Sequence, residues 1–361
     1  MTELLLGREA SALALMERVL RDGDPLAAEY PLVFDARFSG RILALGDGGE
    51  VRSACATLVR DFVVPGGTIR GGLIGSVSTQ PEWQGHGLGT RLLVEAEAKL
   101  QAQGCVFALL WGEDPRFYLA RGYCPVGAEE DFVVPSALVP ALPAGAARPL
   151  APSDAAAVHA LYERHPVRLV RTAAETAALL ACPGMTSLVL ERDGGVVAYA
   201  CRGRGGDLAE AIHEWGGSDE DVLALVRAHL VDRFLPGEEG ELFLMAPVVA
   251  EELRARLIEV GAEHRRGILG LGKLLDRRAA LEVLRPRLAP AGTIELQKTS
   301  EGPMFRLAGP ARRGLLDDDG LLALLLPATE VRPEVAHLLA EFGLTDARLP
   351  LEAFVWGLDS I

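Results

Sequence analysis

One stretch limits this chain more than any other: Val77-Ser78-Thr79-Gln80-Pro81-Glu82-Trp83-Gln84-Gly85-His86-Gly87-Leu88-Gly89-Thr90. An extended segment over residues 69–79 runs into a short loop, and three alternating glycines then open a helix. Leu88, Leu92, Ala96 and Leu100 recur every four residues on one face of that helix, and Gly104 supplies its stop. Glycine has no side chain to keep backbone N–H groups away from a bulky anion. The first helical N–H groups lack internal partners and sit at the positive end of the helix dipole. A diphosphate fits such a turn. Position 90 is Thr, so the GxGxxG spacing of a dinucleotide fingerprint is not met.

Composition narrows the classes. With 49% hydrophobic and 24% charged residues, the chain has the balance of a folded globular protein rather than a disordered one. The net charge of −14 is shared: residues 1–145 hold 12 basic and 18 acidic side chains, the remainder 24 and 32. Neither part is a hidden basic module, which argues against a nucleic-acid partner. The sign suits cationic acceptors better. Cys55, Cys105, Cys124, Cys182 and Cys201 are odd in number and form no CxxC pair, so no disulfide framework or metal site is expected. Acids at Glu3, Glu9 and Glu17 break the apolar N-terminus, and the run 321–326 is too short to span a bilayer. The expectation is a cytoplasmic protein with no membrane partner.

Along the chain, strand-like segments at 41–45, 54–64 and 69–79 precede the glycine-opened helix, and residues 105–111 form a continuous apolar run typical of a central strand. Asp114-Pro115 opens a short helix that Gly122 closes. Residues 135–149, with four prolines, read as a linker. A similar order of elements then repeats to about residue 278, followed by short strands near 293–307 and helices near Leu321 and Glu334. This is a mixed α/β (α+β) chain of three units: 1–140, 141–278 and 279–361.

Together with Asp114-Pro115-Arg116-Phe117-Tyr118-Leu119-Ala120-Arg121-Gly122-Tyr123, the turn resembles the GNAT superfamily of acetyl-coenzyme A-dependent N-acetyltransferases. The family's Gln/Arg-x-x-Gly-x-Gly/Ala loop is matched by Gln84 through Gly89, and its Phe-Tyr-x-x-x-Gly-Phe/Tyr helix by Phe117, Tyr118, Gly122 and Tyr123. The resemblance covers residues 1 to about 135. The order of units is similar to the enhanced-intracellular-survival type, with tandem GNAT-like folds and a small C-terminal α+β domain, and its Glu-x-x-x-x-Tyr spacing is matched by Glu113 and Tyr118.

The resemblance implies roles residue by residue. Val77, Ser78 and Thr79 would pair with the pantetheine arm of acetyl-CoA, with an N–H, that of Val77, polarising the thioester carbonyl. Gln84, Gly85, His86, Gly87, Leu88, Gly89 and Thr90 would hold the diphosphate, and Glu113 joins the cofactor-binding set. Tyr118 would protonate the departing thiolate; phenol to thiol is uphill by roughly 2 kcal/mol, which a hydrogen bond in a dry site can offset. No metal is implied. The acceptor would be a primary amine of a small molecule or peptide, and a homo-oligomer is left open. The alternative is a non-catalytic CoA-binding regulatory or scaffold protein.

The base is less plain. An alkyl amine is only about 0.1% neutral at pH 7.4, a penalty near 4 kcal/mol. The strand before the loop carries no acid, which leaves Glu113, Glu82 and His86 as nearby titratable groups. In the resembled type a terminal carboxylate reaches the active site, which makes Ile361 a catalytic candidate; the apolar ending Phe354-Val355-Trp356-Gly357-Leu358-Asp359-Ser360-Ile361 suggests burial against the first unit. In the second unit Glu214-Trp215-Gly216-Gly217-Ser218-Asp219 lacks the Gly-x-Gly register, so that copy is expected to be non-catalytic. Residues 267–273 match GxxxxGK, but Leu274 stands where a magnesium-binding Ser or Thr is needed.

Overall fold

The computed structural model describes residues 3–206, 208–300, 302–327, 334–345, 349 and 351–361. They form two compact units, one of residues 1–128, 268–353 and 361, the other of 129–267 and 354–360.

The first unit begins with β1 (Glu3–Leu5), α1 (Glu9–Leu20), α2 (Pro31–Phe34), β2 (Arg41–Asp47), β3 (Glu50–Val64) and β4 (Gly67–Thr79). Next come α3 (Leu88–Ala102), β5 (Phe107–Leu110), α4 (Pro115–Leu119) and β6 (Cys124–Val126). Alternation along the strands sorts side chains to two faces. Ala44 and Ala54 meet Ala12, Leu15 and Met16 of α1. Their neighbours Leu43, Leu45 and Cys55 meet Leu92, Leu93, Ala96 and Leu100 of α3. Covered on both faces, β5 is buried at every residue.

The second unit holds β7 (Glu129–Pro135), β8 (Ala147–Pro149), α5 (Ala155–Tyr162), β9 (Arg168–Leu169), α6 (Ala173–Leu180), β10 (Thr186–Arg192), β11 (Gly195–Arg202) and β12 (Ala211–Gly216). It continues through α7 (Asp219–Arg233), β13 (Glu241–Ala246), α8 (Glu251–Val260) and β14 (Glu263–Gly267). Its sheet runs β14-β7-β13-β12-β11-β10-β8. The stretch read as a linker is therefore structured at both ends: Pro135 closes β7, opposite Glu241 of β13, and β8 pairs with β10. Alternating apolar residues in β7, with Phe132 and Val134 fully buried, override the punctuation that proline suggests.

The chain then returns to the first unit with β15 (Gly270–Leu274), α9 (Arg277–Leu288), β16 (Thr293–Thr299), β17 (Gly302–Ala308), β18 (Arg313–Leu316), α10 (Asp318–Leu325) and α11 (Glu334–Glu341). In the main sheet the order is β1-β2-β3-β4-β5-β15-β6, and β16-β17-β18 make a small separate sheet. The GxxxxGK match thus spans the end of β14 and most of β15, which lies antiparallel between β5 and β6.

The terminal segment divides: residues 354–360 group with the second unit, and Ile361 groups with the first. Trp356 is wholly buried and lies edge-on to Trp215 and Phe354. Asp359 accepts from Arg171 Nε at 2.7 Å and from the Tyr162 hydroxyl at 2.8 Å, while the other Arg171 nitrogens fork onto Glu214. An acid buried with its guanidinium partner holds to that partner, because leaving either charge unpaired is costly.

The same unit encloses three histidines, His213 and His229 buried and His165 half-buried. Burial holds His165, His213 and His229 neutral, each pulled down to about 4. Their folded pKa lies below the unfolded value, so their contribution is present above pH 6.5 and is lost as pH falls toward 4. We expect unfolding stability to drop over that window by about 1.4 kcal/mol per pH unit for each histidine. Urea titrations between pH 7 and 4.5 check this, and His229→Gln should flatten the slope.

Candidate active site

The site is built where two strands part. β4 pairs with β5 in parallel from Gly71↔Phe107 to Ile74↔Leu110 and no further, although β4 runs on to Thr79. On its other side the β3 register shifts: Ala54 faces Ser78, but Ala56 faces Gly75. Ser76 and Val77 thus stand against the single residue Cys55, a bulge, and Ser76 takes φ +50°. Ser53 secures the strand beyond the bulge, its hydroxyl 2.9 Å from Ser78 O and 2.8 Å from Thr79 Oγ1. Past Ile74 the backbone of β4 therefore has no β5 partner.

A 3-10 turn, Pro81–Trp83, leads to the glycines. Gly85 and Gly87 have φ +77° and +79°, and nothing lies within 4 Å of where their Cβ atoms would stand. Both conformations suit glycine, and both positions are open. Gly87 caps α3, whose first backbone bond runs from Arg91 N to Gly87 O at 3.0 Å. The N–H groups of Leu88, Gly89 and Thr90 consequently have no carbonyl behind them in the helix. Leu88 is buried, whereas Gln84 and His86 are exposed. Gln84 Nε2 donates to Thr79 O at 3.4 Å, and the His86 ring sits 3.0 Å from Gln84 O. The second unit treats the equivalent helix mouth differently: the Ser218 hydroxyl accepts from Asp221 N, and Asp219, Glu220 and Asp221 fill the first turn.

Tyr118 rides on α4, capped by Asp114 through Arg116 N. Its ring packs in the core that contains Ile74, Cys55 and Leu110, at the place where β4 and β5 part. Burial pushes the phenol above its ordinary range, and the Arg121 charge opposes this. The ring lies over Gly112, where a Cβ would overlap it. We therefore expect Gly112→Ala to displace the phenol and lower kcat by about 10- to 100-fold, with donor affinity unchanged in calorimetry.

Ile361 belongs to the same unit. Its main-chain carbonyl carbon and oxygen lie so close to Gly75 that a Cβ there would overlap them. The bulge, the end of the β4–β5 pairing and this main-chain oxygen are thus neighbours. Glu113 and Glu82 are exposed, and neither has a hydrogen bond or ion pair to another site residue.

Three contributors were not read from the sequence as parts of the site. Gly75 and Gly112 make room for Ile361 and Tyr118, and an isolated glycine in an apolar run was their only trace. Arg121 was the third. Its Nε and Nη2 reach Thr90 Oγ1 at 2.9 and 2.6 Å, and its guanidinium stacks 3.7 Å from the Phe117 ring centre. Spacing of four from Phe117 on a helix was the available signal.

Residues 9–126 match the family described as Acetyltransferase (GNAT) domain. The first unit carries a GNAT acetyltransferase domain. No curated protein matches the chain. Among solved structures, a GCN5-related N-acetyltransferase from Anabaena variabilis is similar over 100% of both chains at 14% identity, with TM-score 0.70. One from Kribbella flavida is similar over 100% of both at 17% identity and TM-score 0.62. Eis1 from Mycobacterium abscessus covers 88% of this chain, over 85% of its own, at 17% identity and TM-score 0.55. These likenesses extend the shared fold beyond the GNAT domain itself. The mixed α/β architecture and the GNAT acetyltransferase domain over residues 9–126 accordingly agree with the reading of the sequence. Among the described residues no helix is long and apolar enough to cross a membrane.

Proposed function

We propose that the enzyme transfers an acetyl group from acetyl-CoA directly to a primary amine of a small molecule or peptide. The observation that carries this reading is the main-chain oxygen of Ile361 on Gly75, beside the bulge where β4 loses its β5 partner. Acetyl-CoA supplies an activated acyl thioester. Val77, Ser78 and Thr79 meet its pantetheine arm on the side of β4 that β5 leaves unpaired, and the Val77 N–H polarises the thioester carbonyl. The open turn from Gln84 to Thr90 takes the diphosphate on backbone amides. Tyr118 gives its proton to the sulfur as that bond breaks.

The α-carboxylate of Ile361 draws in the cationic acceptor and takes one proton from its ammonium before attack, which frees the nitrogen lone pair to form the C–N bond; the second N–H proton is lost as the C–S bond breaks and restores the Tyr118 phenol. Every cysteine is buried, and burial pushes the Cys55 thiol up to about 12. A buried, protonated thiol is a poor nucleophile, which supports direct transfer over an acyl-enzyme. Rates with acetyl-CoA across aminoglycosides, polyamines and peptides test the proposal. Turnover of at least one amine supports it. Binding of CoA with no turnover of any amine would make the chain a CoA-binding scaffold instead.

A further inference from the structure

The donor-binding turn has a charge problem. A diphosphate brings about two negative charges at neutral pH, yet the stretch from Gln84 to Thr90 contains neither Lys nor Arg. Backbone amides and a helix dipole contribute only about half a charge at a helix N-terminus. Arg91 follows this stretch on the same helix, and a second cation is built against the turn from another element. Arg121, just past α4, directs two nitrogens onto one oxygen, Thr90 Oγ1, at 2.9 and 2.6 Å. A third contact goes to Phe117 O, and the guanidinium stacks on the Phe117 ring. That ring in turn rests against Gly89, where a Cβ would come within 3.2 Å of its edge. Arg121 is thus fixed from both sides against the first turn of α3.

A hydroxyl has one hydrogen to donate and two lone pairs to accept with. At Thr90 both lone pairs are engaged by Arg121, so the hydroxyl hydrogen is what the side chain still has to offer. Donation from a hydroxyl polarised by a cation is strengthened toward an anion. We infer that Arg121 supplies positive charge to the donor-binding turn, acting through the Thr90 hydroxyl on the diphosphate of a CoA-type donor. It is a positioning residue for that donor, selecting nucleotide-bearing thioesters over truncated ones. The inference rests on the reading that this turn binds CoA.

The test is calorimetric. CoA and pantetheine, which lacks the diphosphate and nucleotide, are titrated into wild type, Arg121→Gln, Arg121→Lys, Thr90→Val and the Arg121→Gln/Thr90→Val double variant, with circular dichroism confirming the fold of each. Arg121→Gln should weaken CoA about tenfold and leave pantetheine within about twofold. Lysine keeps the charge but cannot reproduce the fork, so Arg121→Lys should recover only part of the loss. Thr90→Val should match Arg121→Gln, and the double variant should lose no more than either alone, since partners in one chain of contacts are not additive. Equal losses for CoA and pantetheine, or full additivity, would overturn the inference and make Arg121 a packing residue. Wild type that fails to bind CoA overturns the functional reading itself.

Discussion

Replacing Tyr118 by Phe should lower kcat by about 10²–10⁴-fold, the usual contribution of a positioned acid, while CoA affinity stays within about twofold. The ring is buried and packs edge-on to Phe117 and Tyr123. Phe keeps the shape and those contacts, so a tyrosine serving only as packing would lose almost nothing. The pH dependence sharpens the distinction. The acid must be protonated to act, and burial moves its pKa upward. Tyr118 therefore remains competent across neutral and mildly alkaline pH, and any loss from its ionisation lies above about pH 10. Initial rates from pH 6 to 10, with calorimetry at each end, measure both effects.

Abolishing the carboxylate at Ile361 should be about as damaging, again about 10²–10⁴-fold in kcat/KM. Two variants separate charge from shape. Deleting Ile361 removes both, whereas appending two glycines keeps the isoleucine side chain and turns its carboxylate into an amide. Each should lose the rate, and each should lose the acid limb of the pH profile that protonation of the carboxylate produces. Retention of wild-type rate by the glycine-extended protein would remove Ile361 from the mechanism and return the role of base to a solvent chain. Gly75→Ala belongs to the same series, since a methyl there would displace the Ile361 main chain.

The local parts of this site were legible because local chemistry specifies them. The α3 helix declares itself by its four-residue apolar repeat, the turn by glycines at positive φ, and α4 by its Asp-Pro start. What was illegible depends on distant pairing. Gly-Leu-Gly-Lys-Leu at 270–274 is poor in β-formers and imitates a phosphate loop, yet it becomes a strand because β5 and β6 offer it two edges. The terminal segment likewise shows only that it is apolar. Nothing in its own eight residues says that Arg171 will take Asp359, or that its last carbonyl will come to rest on Gly75. The spacing of Arg121 from Phe117 does not reveal its partner for a related reason: a cation whose partner hydroxyl lies 31 residues away reads as an ordinary surface arginine.

The most direct measurement is a crystal structure with CoA bound. The account places the diphosphate on the amides of residues 85–90, and the sulfur within about 3–3.5 Å of the Tyr118 hydroxyl, on the side of β4 that β5 leaves open. CoA found elsewhere on the chain, or a sulfur out of reach of both Tyr118 and the Ile361 carboxylate, would contradict it.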